Sequence, residues 1–121
     1  MPRFDQRLTD RYELVAKVTE AFFCANLINE GEEMVFDLEG RLVADRSTAN
    51  LCIGVISRLH PAILMAQDRI SEGLPPISPR FRHFDCFDTG IDHGGTGKVY
   101  VELSLRDRMT GALVDRMEQP A

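Results

Sequence analysis

The sequence has no long apolar run and no excess of basic residues, and each absence excludes a class of protein. No stretch approaches the roughly 20 apolar residues that a membrane-spanning helix needs, so we expect no membrane partner. The net charge of −5 argues against nucleic acid as a partner, because neutralising phosphates takes a concentrated excess of Lys and Arg. Charges recur throughout residues 1–14, which is unlike a secretory signal. These absences together predict a cytoplasmic protein.

The sequence also lacks the commonest catalytic signatures. It contains no Gly-x-Ser-x-Gly elbow, no His-Glu-x-x-His pair and no Gly-x-Gly-x-x-Gly turn, so the usual hydrolase, metalloprotease and dinucleotide-binding motifs are missing. The glycines and the lysine of residues 92–98 suggest a phosphate cradle, but no helix is expected to follow them. A flexible hairpin is the better interpretation of that loop. Whether the protein is an enzyme stays open.

The residues that are present indicate a globular protein. The chain has 121 residues, of which 44% are hydrophobic and 27% are charged. This composition is typical of globular proteins, and the length is sufficient for one hydrophobic core. We therefore predict a single domain over residues 1–121, with flexible ends at residues 1–11 and 112–121.

Alternation of apolar and polar residues predicts several strands. The clearest covers residues 99–105, where every second residue is Val or Leu. Further strands are expected at residues 12–19, 34–38 and 81–87, with a short hairpin partner at residues 41–44. Residues 112–117 could form either a strand or a helix.

One region has helical periodicity instead. Apolar residues recur at helical spacing over residues 47–72, behind caps at Ser47, Thr48 or Asn50. Pro61 cannot donate the backbone hydrogen bond that a continuous helix needs, so we expect two helices or one kinked helix. Strands on both sides of one helical region predict an α+β fold, a small antiparallel sheet with the kinked helix or two helices packed on one face.

The three cysteines are the most informative residues. An odd number fits reduced thiols or metal ligands better than a secreted disulfide framework. If the sulfurs of Cys24, Cys52 and Cys86 converge, they form a soft ligand set for zinc or iron, with His60 or His83 as a fourth ligand. However, the cysteines lack the close Cys-x-x-Cys pairs of most zinc sites. The alternative is that they are small core residues.

The cysteines also occur in a definite order of motifs. Cys24 precedes a glycine turn at Gly31 and a strand, Cys52 opens a helix that holds a later proline, and Cys86 with Asp88 forms a Cys-x-Asp motif before the last strand. In this order the chain resembles a family of small bacterial conserved hypothetical proteins of unassigned function. It departs from that family in lacking the Pro and Gly that follow the first cysteine. The resemblance implies that the three cysteines act as a set, and it supplies no reaction.

A second group of residues could carry acid/base chemistry. His83 and Asp85 fall on the same face of a predicted strand, because side chains alternate along a strand, and Asp88 follows closely. A histidine beside a carboxylate can transfer protons in catalysis. The alternative is an exposed polar strand face, because an active site needs converging groups.

Three hypotheses for function follow. The leading one is a small cytoplasmic protein whose three cysteines bind a metal, zinc or iron, or shape a small-molecule pocket. The second is a non-catalytic accessory subunit of a larger metabolic enzyme, prompted by the missing catalytic motifs. The third is a free-standing acid/base enzyme that uses His83 with Asp85 or Asp88. Another copy of the chain is also an expected partner, because symmetric homo-oligomers are common.

Overall fold

The computed structural model describes residues 5–118. The long helix α2 lies between the second and third strands. In chain order the elements are α1 (Gln6–Arg11), β1 (Tyr12–Phe22), β2 (Glu33–Phe36), α2 (Ile53–Ser71), β3 (His83–Asp85), β4 (Lys98–Asp107) and β5 (Leu113–Val114), with short 3-10 helices at Ala44–Arg46 and Ile91–His93.

The five strands form one antiparallel sheet. β1 and β4 pair at its centre, with Leu14 opposite Leu105, while β2 pairs with β1, and β3 and β5 pair with β4. The hairpin partner predicted at residues 41–44 is reduced to one bridge between Phe36 and Leu42. The α+β fold with a small antiparallel sheet is therefore confirmed.

The core lies between one face of this sheet and α2. Every second residue of β4 from Val99 to Leu105 is buried, as the alternation predicts. The buried residues of α2 recur at helical spacing, which gives the helix one apolar face. That face and the sheet belong to a single cluster of buried side chains, to which α2 contributes Val55, Leu59, Ala62, Ile63 and Ala66.

Helix α2 begins later than predicted and continues through its proline. Its N-cap is Cys52, which makes no side-chain capping bond. The region predicted as two helices or one kinked helix is a single helix that contains Pro61. A proline leaves the carbonyl four residues earlier, that of Ser57, without its helical donor. Both Ser57 and Pro61 are exposed, so water can satisfy this carbonyl and the helix can continue.

Two of the three residues predicted to cap the helix, Ser47 and Thr48, support β2 instead. The Ser47 hydroxyl accepts a hydrogen bond of 2.9 Å from the Val35 N–H, and the Thr48 hydroxyl accepts one of 2.9 Å from the Glu33 N–H. Backbone donors of an edge strand are thereby satisfied. The segment before α2 therefore runs beside β2.

A buried carboxylate lies on the sheet face opposite α2. Glu13 is 2% exposed, and its oxygens accept bonds of 2.6 and 2.7 Å from Arg46 and 2.8 Å from Arg106. Burial raises the pKa of Glu13, but the hydrogen bonds from Arg46 and Arg106 outweigh it and hold the pKa below its ordinary value of 4.5. These ion pairs tie β1 to β4 and to the 3-10 helix Ala44–Arg46.

A bulge in β1 determines which side chains face outward at its end. Pairing with β4 shifts register between Val18 and Glu20, so Thr19 is an extra residue. Because side chains alternate along a strand, the extra residue turns Ala21 toward the core and Phe22 to the outer face. As a result, 52% of the Phe22 surface is exposed.

Both ends of the chain contain secondary structure. Of the ends predicted to be flexible, residues 1–4 and 119–121 lie outside the described residues. Residues 6–11 form α1, and β5 lies in the tail that the sequence left undecided between strand and helix. Neither helix within residues 5–118 combines the length and the apolar character that crossing a bilayer requires.

Candidate functional site

The three cysteines come from three separate segments and line one small cavity. Cys24 follows β1, Cys52 precedes α2 and Cys86 follows β3. The cavity that they share has a volume of about 110 Å³. All three are free thiols, and Cys86 is buried while the other two are partly exposed. The structure therefore brings together the residues that the sequence predicts as a set.

An arginine of α2 holds the helix against β3, which brings Cys52 and Cys86 to the same cavity. Arg58 Nη2 lies 3.0 Å from Asp85 Oδ1, and its guanidinium carbon lies 5.1 Å from the centre of the Phe87 ring. Arg58 thus makes an ion pair on one side of Cys86 and a cation–π contact on the other.

Cys24 is held in a turn with an unusual backbone. Phe23 and Leu27, on either side of it, have left-handed φ values of 53° and 58°. Such a conformation costs a non-glycine residue about 1–3 kcal/mol and persists only when its surroundings impose it. Here the Asn50 side chain donates a 2.7 Å hydrogen bond to the Asn26 carbonyl. This bond fastens the Cys24 turn to the segment that leads into Cys52.

The loop between β3 and β4 folds around one carboxylate. Asp88 accepts hydrogen bonds from the backbone N–H groups of Gly90, Thr96 and Gly97 and from the Thr96 hydroxyl. The backbone hydrogen bond from Gly90, followed by the other bonds, holds the pKa of Asp88 below its ordinary range. A Cβ atom at Gly97 would overlap carbonyl oxygens at the end of β1. Glycine at this position therefore allows the loop to approach the Cys24 turn.

Lys98 also lines the cavity, but its ammonium group is already paired with protein groups. Its ammonium group donates to the carbonyl oxygens of Cys86, at 2.8 Å, and Asp88, and it lies 3.0 Å from a carboxylate oxygen of Asp85. Three acceptors use the three donors of a lysine. The sulfur of Cys86 accepts a 3.4 Å hydrogen bond from the Val99 N–H.

The described conformation does not form a metal site. His60, predicted as a fourth ligand, is exposed on α2 and does not line the cavity. Within residues 5–118, no group of three or more His, Cys, Asp or Glu side chains is arranged to hold a metal ion. The zinc or iron site stays a prediction.

The residues proposed for acid/base chemistry divide between two places. His83 and Asp85 line an open groove of about 390 Å³, whereas Asp88 lines the cysteine cavity. Burial raises the pKa of Asp85, but hydrogen bonds from Lys98 and Arg58 outweigh it and hold the pKa below its ordinary range. A general acid or base works best with a pKa near the operating pH. The geometry therefore favours structural roles for Asp85 and Asp88.

Comparison with protein-family models, curated proteins and solved structures gives no match for this chain. The resemblance to small bacterial hypothetical proteins is therefore left as a prediction. The function has to be argued from the cavity and the residues around it.

The sequence does draw attention to the loop beside the cavity, but the interpretation of that loop as a flexible hairpin missed that the loop forms part of the cavity wall. Four glycines followed by Lys98 suggest a phosphate cradle. In the structure, backbone N–H groups do converge on an anion, and that anion is the chain's own Asp88. Asp88 therefore replaces an external ligand and fixes the loop.

Proposed function

We propose that the cavity lined by Cys24, Cys52 and Cys86 binds a small, uncharged ligand through a soft atom that bonds to thiols. The observation that carries this proposal is that three cysteines distant in sequence line one cavity of about 110 Å³. Soft atoms prefer sulfur ligands, so a cavity with three thiols selects for them.

The size and charge of the cavity define the ligand further. An engineered apolar cavity of about 150 Å³ holds one benzene molecule, so this space suits a group of only a few heavy atoms. The donors of Lys98 and the acceptors of Asp88 are occupied by protein groups, as described above. Unlike the charged groups of Lys98 and Asp88, the thiols remain able to form a bond to a ligand.

The backbone at Phe23 and Leu27 also supports a functional role for the turn. Strained residues cluster at sites where geometry serves function, and these two lie on either side of Cys24.

Titration with arsenite tests the proposal. In neutral arsenous acid each As–OH group can exchange with a thiol, which forms an As–S bond and releases water. We expect the reduced protein to bind one equivalent in isothermal titration calorimetry. At least two of the substitutions Cys24→Ser, Cys52→Ser and Cys86→Ser should weaken binding roughly tenfold or more, because an arsenic atom held by two of the thiols loses one of its bonds.

A fourth thiol placed elsewhere provides the control. Ser57→Cys adds a thiol on the exposed side of α2, and binding should stay at one equivalent with unchanged affinity. Absence of binding, or binding that no single Cys→Ser substitution weakens, would overturn the proposal. Near-stoichiometric zinc or iron in protein purified without chelators would assign the cavity to a metal ion instead.

A further inference from the structure

A larger groove adjoins the cysteine cavity. The groove has a volume of about 510 Å³ and shares Gly97 and Lys98 with the wall of the cavity. Drug-sized ligands occupy pockets of about 300–1,000 Å³. The combined site is therefore large enough for a ligand with a body as well as a reactive head.

Apolar side chains line this groove although they are accessible to water. Phe22 is 52% exposed, Phe23 79%, Ile91 58% and Tyr100 38%. Exposed apolar groups that gather around a concave site are typical of ligand pockets. The bulge at Thr19 contributes directly, because without it Phe22 would face the core instead of lying beside Tyr100.

The polar groups of the groove are few and mostly satisfied. The Thr89 hydroxyl donates a 3.0 Å hydrogen bond to the His93 carbonyl, and Lys98 is held by its three acceptors. Asp92 and His93 also line the groove, and both are exposed to solvent. The walls therefore favour an apolar, planar body over a charged one.

We propose that the groove holds the aromatic or otherwise planar, apolar body of the same ligand whose soft head bonds to thiols of the cysteine cavity. This inference rests on the proposed function of the cysteine cavity. A small molecule fits the groove better than a protein partner does, because stable protein interfaces need well over 1,000 Å² of buried surface. Because the groove and the cysteine cavity share part of their wall, the apolar body of the ligand lies beside its soft head.

Two arsenicals that differ in their body test this inference. Arsenite has no apolar body, whereas phenylarsine oxide carries a phenyl ring on an arsenic atom that can form bonds to two thiols, with its oxygen and the two thiol protons released as water. The measurement is the ratio of their dissociation constants for each protein variant. Phe22→Ala and Ile91→Ala should each reduce the preference for phenylarsine oxide roughly three- to tenfold, because each removes apolar surface that the ring would cover.

The control is an aromatic residue outside the groove. Phe81→Ala removes a side chain that is 48% exposed and lines neither the groove nor the cavity, so the ratio should not change. Because Phe22 and Ile91 are exposed, their substitution should leave the fold intact, which thermal unfolding checks. If both arsenicals bind and the groove variants leave the ratio unchanged, the inference about the groove is overturned while the cysteine site stands. If neither arsenical binds, the proposed function fails and the inference fails with it.

Discussion

Glu13 provides the sharpest test of how the outer face of the sheet is stabilised. The substitution Glu13→Gln keeps the size of the side chain and removes its charge. It removes the carboxylate from Arg46, which is 36% exposed, and from Arg106, which is 17% exposed and keeps its ion pair with Glu33 at 2.9 Å. Removing one partner of a fully buried ion pair costs about 3–5 kcal/mol. Because water reaches part of both guanidinium groups, we expect a loss of about 2–3 kcal/mol here.

Urea denaturation followed by circular dichroism measures this loss. With a slope of about 1.5 kcal/mol/M for a protein of this size, the midpoint should fall by about 1.3–2 M. The matched control is Glu20→Gln on the same strand, where the carboxylate is exposed, and its midpoint should change by no more than about 0.3 M.

The pH dependence of the stability distinguishes the contribution of the Glu13 charge from the contribution of its packing. Because the pKa of Glu13 in the folded state lies below 4.5, folding favours the ionised carboxylate. Its contribution is therefore complete above 4.5 and is lost as the pH falls through the folded-state pKa. The stability difference between the wild type and Glu13→Gln should shrink in this acidic range. A difference that is absent at neutral pH, or one that does not change on acidification, would refute the reasoning.

Two further substitutions test the contacts around the site and β2. Gly97→Ala should lower the free energy of unfolding by about 1–3 kcal/mol in urea denaturation, because its methyl group would push away the strand end that leads to Cys24. For the same reason it should weaken arsenite binding. Unchanged stability and unchanged binding would contradict this close approach. Ser47→Ala should lower the free energy of unfolding by about 1–2 kcal/mol, because it leaves the Val35 N–H without its acceptor. Ser57→Ala, on the exposed side of α2, should have almost no effect. Equal effects of the two serine substitutions would refute the role of Ser47 in supporting β2.

The loop after β3 shows why the site could be predicted only in part. Cysteine is rare enough for three of them to be noticed in the sequence, so the residues that line the cavity could be selected. Glycine, aspartate and lysine are common residues, so several roles for those of this loop are compatible with the sequence. Only the hydrogen bonds of Asp88 and Lys98 distinguish a structured wall from a flexible hairpin or a phosphate cradle.

Elements whose pattern is local could be predicted from the sequence alone. The alternation at residues 99–105 predicts β4, and the apolar spacing over residues 47–72 predicts α2 but not the residue at which it begins, because both patterns follow from the repeat of a single element. Which distant residues meet depends on the tertiary structure. It joined Cys24, Cys52 and Cys86 through contacts between separate segments, and it turned Phe22 outward through a one-residue bulge. A periodic pattern within one element predicts neither the meeting of the cysteines nor the bulge, because both depend on the register and packing of different elements.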